Sequence, residues 1–176
     1  VPGAYPLRSD KETLKSILVR AGNLTPKALK NGISIYRDSK YFESIDFLVM
    51  KEKTNIDEEA QVVVEGQNKK VRVAWQNESI ALMPGDSIVV KETTGTVNVT
   101  GEVYNKGLIE FRRGKSLNYY INAAGGLTEA GNKSGIIVLY PNGIVSPKKW
   151  FSSPKIIEGS TIIISKKAEE PPFNIT

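Results

Sequence analysis

The pentapeptide Ala21-Gly22-Asn23-Leu24-Thr25 recurs, with one substitution, as Ala124-Gly125-Gly126-Leu127-Thr128. In both places the alanine closes a set of apolar residues spaced as on one face of a helix. A hydroxyl residue, Thr13 or Ser116, precedes each set at the N-cap position, and a glycine follows it. The sequence therefore predicts two short helices of about two to three turns, each buried along one side. The two apolar sets are Leu14, Ile17, Leu18 and Ala21, and Leu117, Tyr120, Ile121 and Ala124.

Strand patterns follow each helix in the same order. Alternating runs begin at Ile33 and Ile136, and each copy closes with a glycine turn and a β-branched run, at residues 83–90 and 157–164. Before the second helix, residues 97–104 and 108–111 flank a turn, which is typical of a hairpin. We therefore predict an α+β fold of two β-grasp modules in tandem, each a small mixed sheet with one packed helix.

The first copy lacks the leading arm of that hairpin. Residues 3–7 match the second arm at residues 107–111, whereas the strand equivalent to residues 97–103 would lie before Val1. We predict that this strand is missing or is supplied by another segment. The start at Val1-Pro2-Gly3 is typical of the middle of a turn, and we expect the chain to be a fragment of a longer protein.

The expected domain boundaries follow from the duplication. The first module covers residues 1–92, the second covers 93–167, and 168–176 form a linker or tail. Ile35 lies 50 positions before Gly85, whereas Val138 lies only 21 positions before Gly159, which places an insertion at about residues 39–68 of the first module. We predict a hairpin between Val62–Val64 and Val71–Val73 there. The insertion is either a docking element or an elaborated loop.

The residue types exclude much catalytic chemistry. The chain contains no cysteine and no histidine, so it lacks thiol nucleophiles, disulfides and the usual neutral-pH general base. It carries no phosphate-binding glycine loop and no nucleophile elbow. Glu58 and Glu59 are adjacent and point apart, which suits a solvated acidic stretch better than a catalytic pair. We expect no catalytic residue, no metal and no cofactor, hence not an enzyme.

The net charge and the hydropathy of the sequence limit the kinds of partner that the chain is expected to bind. The net charge is +5, from 24 basic and 19 acidic residues, and the excess is scattered in short clusters that suit a solvated surface or a weak contact with an anionic polymer. We expect no nucleic-acid partner. No apolar run has the length of a membrane span, so membrane association would come only from regions outside this chain.

The order of these motifs, found twice, resembles the soluble-ligand-binding β-grasp (SLBB) family. It is similar in particular to the tandem copies in outer-membrane polysaccharide export proteins. The resemblance implies a periplasmic location in the cell envelope and modules that stack within an export channel. Two departures, Asn23 for the second glycine of the pentapeptide and Ser160 for the aspartate supplied by Asp86, argue against one shared ligand for both copies.

Candidate ligand-binding residues are few. The turn at Gly125 and Gly126, like its counterpart at Asn23, either offers backbone N–H groups to a ligand or simply ends a helix. Trp150 and Phe151, between two prolines in a predicted loop, either stack on a sugar ring or fill the edge of a core.

Three functions follow. The first is a portion of a polysaccharide export protein that acts by self-assembly, by contact with the polymer or with other export components. The second is a receptor for a small soluble ligand, bound near Gly125-Gly126 or between the modules. The third is a non-catalytic domain of an enzyme complex, against which the lack of cysteine and histidine argues.

Overall fold

The computed structural model describes residues 1–42 and 70–168, which form a mixed α+β fold, as predicted. These ranges contain two α-helices, α1 (Leu14–Arg20) and α2 (Leu117–Ala123). A short 3-10 helix at Ser39–Phe42 follows the first strand. The strands are β1 (Ala28–Asp38), β2 (Lys70–Val73), β3 (Ser87–Glu92), β4 (Thr96–Gly101), β5 (Gly107–Glu110), β6 (Gly131–Leu139), β7 (Val145–Pro147) and β8 (Thr161–Lys166).

The first sheet has three strands in the order β2-β1-β3, and both pairings are antiparallel. Ile35 in the central strand lies opposite Val73 on one side and Ile88 on the other. We call residues 1–42 and 70–92 the three-stranded half.

The second sheet has five strands in the order β5-β4-β8-β6-β7. β4 and β8 run parallel, with Val99 opposite Ile162, and the other pairings are antiparallel. We call residues 93–168 the five-stranded half. Strands β7-β6-β8 pair in the same arrangement as β2-β1-β3 of the first sheet. Among the described residues, β8 has a second neighbour, β4, whereas β3 lies at the edge of its sheet.

Each half has its own hydrophobic core beneath its helix. Leu14, Ile17 and Leu18 of α1 pack with Ile33, Ile35, Trp75 and Leu82. Leu117, Tyr120 and Ile121 of α2 pack in a larger cluster with Val97, Val99, Val138 and Ile162. These faces are the ones that the apolar spacing predicted, except that Ala21 is only partly buried and lies outside the first core, whereas Ala124 is fully buried in the second.

The predicted helix caps are also confirmed. The hydroxyl of Thr13 accepts from the amide of Ser16 at 3.3 Å, and that of Ser116 accepts from the amide of Tyr119 at 3.4 Å. Gly22 and Gly125 follow the helices with φ angles of 92° and 82°, which a side chain would disfavour.

One expectation about strands differs from the structure, and another stays a prediction because it falls partly outside the described residues. Residues 3–7 form no strand, although Tyr5 and Leu7 pack on the first core as Ile109 and Phe111 of the β5 region pack on the second. None of the described strands pairs with them. Residues 71–73 belong to β2, which pairs with β1, and the expected hairpin partner at Val62–Val64 lies outside the described residues, as does most of the insertion at about 39–68.

The turn between β6 and β7 contacts the three-stranded half. The side-chain amide of Asn142 donates to the carbonyl of Trp75 at 2.8 Å, and the amide of Trp75 donates to the carbonyl of Asn142 at 3.4 Å. Arg72 donates to the carbonyl of Pro141 at 2.5 Å. These bonds join the two halves.

Candidate functional site

Trp150 and Phe151 form an aromatic tip on the five-stranded half. Their side chains are 91% and 96% exposed, and the ring centroids lie 6.3 Å apart at an interplanar angle of 62°. Of the two possibilities that the sequence left open, the structure places both rings in solvent. Large aromatic rings are costly to leave in water, so an exposed pair is a candidate contact surface.

Backbone hydrogen bonds hold the aromatic tip in place. The amide of Lys148 donates to the carbonyl of Ile136 at 2.8 Å, which ties the segment to β6. Lys149 and Ser152 then exchange two backbone hydrogen bonds, at 2.9 and 3.3 Å, and close a tight turn around the aromatic pair. The tip is thus fixed to the sheet by its own backbone.

The chemistry around the aromatic tip is cationic. Residues 145–155 include three lysines, Lys148, Lys149 and Lys155, and no acidic residue. The side chains of Lys149 and Lys155 are exposed, whereas Lys148 is half-buried and donates to the carbonyl of Lys133 at 3.4 Å. The surface combines flat apolar rings with positive charge, which suits a ligand that has both apolar faces and carboxylates.

The turn at Gly125 and Gly126 uses its backbone groups within the fold. The two amides donate to the carbonyls of Asn122 and Ile121, both at 2.9 Å, which ends α2. The carbonyl of Gly126 accepts from Tyr104 at 3.2 Å. The donors that the sequence offered to a ligand are therefore occupied by helix termination, and a ligand at this turn stays a prediction.

Asn23 occupies the matching turn of the three-stranded half. It takes the left-handed conformation, with φ of 63°, and its amide donates to the carbonyl of Leu18 at 2.8 Å. Its side chain is exposed and lies at the margin of a groove, so Asn23 and the aromatic tip belong to different surfaces.

That groove has a volume of about 1000 Å³. It lies between the N-terminal segment, one side of α1 and the edge strand β3, and its apolar lining includes Tyr5, Leu7, Ile17, Leu24 and Val90. The sequence did not predict the groove, because its walls come from segments far apart in the chain, residues 1–10, α1 and β3.

Two buried ion pairs, which sequence analysis missed, flank the groove. Glu12 lies 2.8 Å from Arg20, and Asp86 lies 2.8 Å from Arg37. Hydrogen bonds from the Arg8 amide and from Arg20 lower the pKa of Glu12 from 4.5 to about 2, against the opposing effect of burial. The Glu12 carboxylate is thus held ionised by fixed partners, and both ion pairs suit structural roles.

Residues 1–42 and 70–168 contain no group of three or more acidic, histidine or cysteine side chains arranged to bind a metal ion. None of their helices combines the length and the apolar content that a membrane span requires.

Comparison with known proteins shows which family and which relatives the chain is similar to. Residues 96–143 match the SLBB domain. The matched stretch runs from β4 through α2 to the β6–β7 turn, so it includes Gly125 and Gly126 and ends before the aromatic tip. The expected second SLBB copy, around Asn23, is not part of this match.

Two curated relatives are similar to the chain beyond the SLBB domain. Both are polysialic acid transport proteins KpsD from Escherichia coli, and each is 31% identical over 99 residues. The alignment covers 56% of this chain and 17% of each relative, so the chain spans only a small part of their length. The similarity supports a relation to polysaccharide export proteins at the family level.

Proposed function

We propose that this chain is a periplasmic portion of a polysaccharide export protein of the cell envelope, and that it acts by contact rather than by catalysis. The SLBB domain and the similarity to KpsD support an export function. The observation that carries the contact role is the aromatic tip, where Trp150 and Phe151 are 91% and 96% exposed beside exposed lysines.

The proposed ligand of the tip is an acidic polysaccharide. The apolar face of a sugar ring packs on an indole or phenyl ring, and a sugar carboxylate is attracted to a lysine ammonium group. Each contact with an exposed charge is weak and screened by salt. Weak contacts suit a transported polymer, because a polymer held tightly at one point would not advance.

We also propose that the two halves are tandem β-grasp modules. The repeated pairing of β2-β1-β3 and β7-β6-β8 supports this, since each trio has the same chain order and orientation. The glycine turns before β3 and β8 support it too. Asp86 accepts from the amide of Met83 at 2.9 Å, and Ser160 accepts from the amide of Ile157 at 3.4 Å.

Intrinsic fluorescence tests the polymer contact directly. Trp75 is 6% exposed and its indole N–H donates to the carbonyl of Ile33 at 2.8 Å, so Trp150 is the solvent-exposed one of the two tryptophans. Titration with polysialic acid should change the emission of Trp150, with weaker binding as salt rises from about 0.05 to 0.5 M. Neutral dextran tests whether charge is needed.

Matched variants complete this test. The double variant Trp150→Ala, Phe151→Ala should bind polysialic acid at least about tenfold more weakly, measured by calorimetry, without a change in Tm. Tyr104→Ala removes another exposed aromatic, 62% exposed and outside the tip, and should bind as the parent does. Equal polymer affinity of the parent and the double variant would contradict the proposal.

A further inference from the structure

Among the described residues, the edge strand β3 lacks the neighbour that its counterpart β8 has. β8 lies between β6 and β4, whereas the one described strand that pairs with β3 is β1. Aligning the glycine turns at Gly85 and Gly159 matches Val90 with Ile164. Val90 is 40% exposed and Ile164 is 1% exposed, because β4 and β5 extend the sheet beside β8. The groove of about 1000 Å³ lies along this bare edge.

The N-terminal segment leads to the same edge. Gly3 matches Gly107, so Val1 matches Asn105. The amide of Asn105 donates to the carbonyl of Ala124 at 2.9 Å, and the terminal nitrogen of Val1 donates to the carbonyl of Ala21, the residue that matches Ala124. Val1 therefore occupies the position that Asn105 has in the other half, where the chain arrives from β4. A segment before Val1 would start from this position.

We propose that the groove is a strand-binding site, and that its occupant is the segment of the longer protein that directly precedes Val1. That segment lies parallel to β3 as β4 lies parallel to β8, and it covers Ile88 and Val90. The inference uses the equivalence of the two halves and goes beyond the export function.

The residues of β4 indicate which residue types the occupant should have at each position. Val97, Val99 and Gly101 lie eight, six and four residues before Asn105. Val97 and Val99 are fully buried, and a Cβ atom at Gly101 would lie 2.0 Å from the carbonyl oxygen of Ile164. The occupant should therefore have apolar, preferably β-branched, residues eight and six positions before Val1, and glycine four positions before it.

A covalently attached segment fits this site better than a second copy of the chain. Its effective concentration at the groove is high, since the terminal nitrogen of Val1 already bonds to Ala21 beside it. The matched KpsD proteins extend far beyond the aligned region, which is 17% of their length. A bare β3 edge would otherwise be a site of unwanted strand pairing.

Hydrogen exchange tests the proposal on two forms of the protein, the 176-residue chain and the same chain with its natural preceding residues. The carbonyl of Ile164 accepts from Glu102, and the N–H and C=O groups of one strand residue point to the same side. The amides of Ile88 and Val90 should therefore face the free edge. We expect their exchange to slow at least about tenfold in the extended chain.

Two matched substitutions locate the strand. Val90→Asp places a charge on the face that the occupant would bury and should abolish the added protection. Val89→Asp, on the opposite face at a site 47% exposed, should leave it intact. The same variants in the 176-residue chain check that both fold.

Two outcomes would overturn the proposal. One is equal exchange at Ile88 and Val90 in both forms. The other is protection in the 176-residue chain that grows with protein concentration, which would make a second copy the occupant. Neither outcome depends on polysaccharide binding at Trp150, so the proposed function and the strand site can fail separately.

Discussion

Asp86 and Ser160 form the same turn hydrogen bond in the two halves, but only Asp86 also holds an arginine. Arg37 donates to both carboxylate oxygens of Asp86, with its closest contacts at 2.9 and 2.8 Å, and the Asp86 side chain is 3% exposed. Residue 140, the match of Arg37 in the other half, is a tyrosine whose hydroxyl donates to the carbonyl of Lys155. One turn therefore requires a carboxylate and the other a neutral hydroxyl.

Exchanging these residues should destabilise both halves for different reasons. Asp86→Ser keeps an acceptor for Met83 but leaves Arg37 unpaired, and should lower the free energy of unfolding by about 3 kcal/mol. Ser160→Asp places a carboxylate at a fully buried position and should cost at least as much. Urea denaturation measures both, and wild-type stability of Ser160→Asp would show that this turn tolerates charge.

Glu12 should make the stability of the three-stranded half depend on pH in acidic solution. Its pKa is lowered to about 2 in the folded protein, from an ordinary 4.5, so its stabilisation is complete above about pH 4.5 and is lost as the pH falls towards 2. Glu12→Gln should lower the Tm at pH 7, and the difference from the parent should vanish near pH 2.

Thermal unfolding over this pH range measures the effect of Glu12. Glu110→Gln is the control, because Glu110 also pairs with an arginine but its side chain is 72% exposed. A Glu12→Gln difference that is constant with pH would contradict the assigned ion pair.

Gly101 should be the most sensitive glycine at the parallel junction of β4 and β8. Gly101 and Gly114 have φ angles of 85° and 81°, so alanine costs each about 1 kcal/mol in backbone strain. Only at Gly101 would the new Cβ also meet a backbone oxygen, that of Ile164, at 2.0 Å, whereas nothing lies within 4 Å at Gly114. Gly101→Ala should therefore lose several times more stability in urea than Gly114→Ala, and equal losses would contradict the β4–β8 pairing.

Local patterns predicted the helices, because each helix has its apolar face and its cap within about ten residues of sequence. The hairpin of β4 and β5 was predicted for the same reason. Sequence could not decide whether Trp150 and Phe151 are exposed, since two aromatics between prolines suit a core edge and a surface turn equally. That depends on whether distant residues cover them.

Long-range contacts were beyond the sequence patterns. The 3–7 segment matches β5 residue by residue, yet forms no strand, and none of the described strands pairs with it. Asn142, between a proline and a glycine, indicates only a turn, and its bonds to Trp75 join residues 67 positions apart. The Asp86–Arg37 pair likewise joins residues 49 positions apart.

The bonds between Asn142 and Trp75 restrain the position of one half relative to the other. The chain itself joins the halves at residues 92 and 93, and the bonds of Asn142 with Trp75 and of Arg72 with the carbonyl of Pro141 join them at a second place. Asn142→Ala should therefore loosen the contact between the halves while leaving the hydrophobic core of each one unchanged.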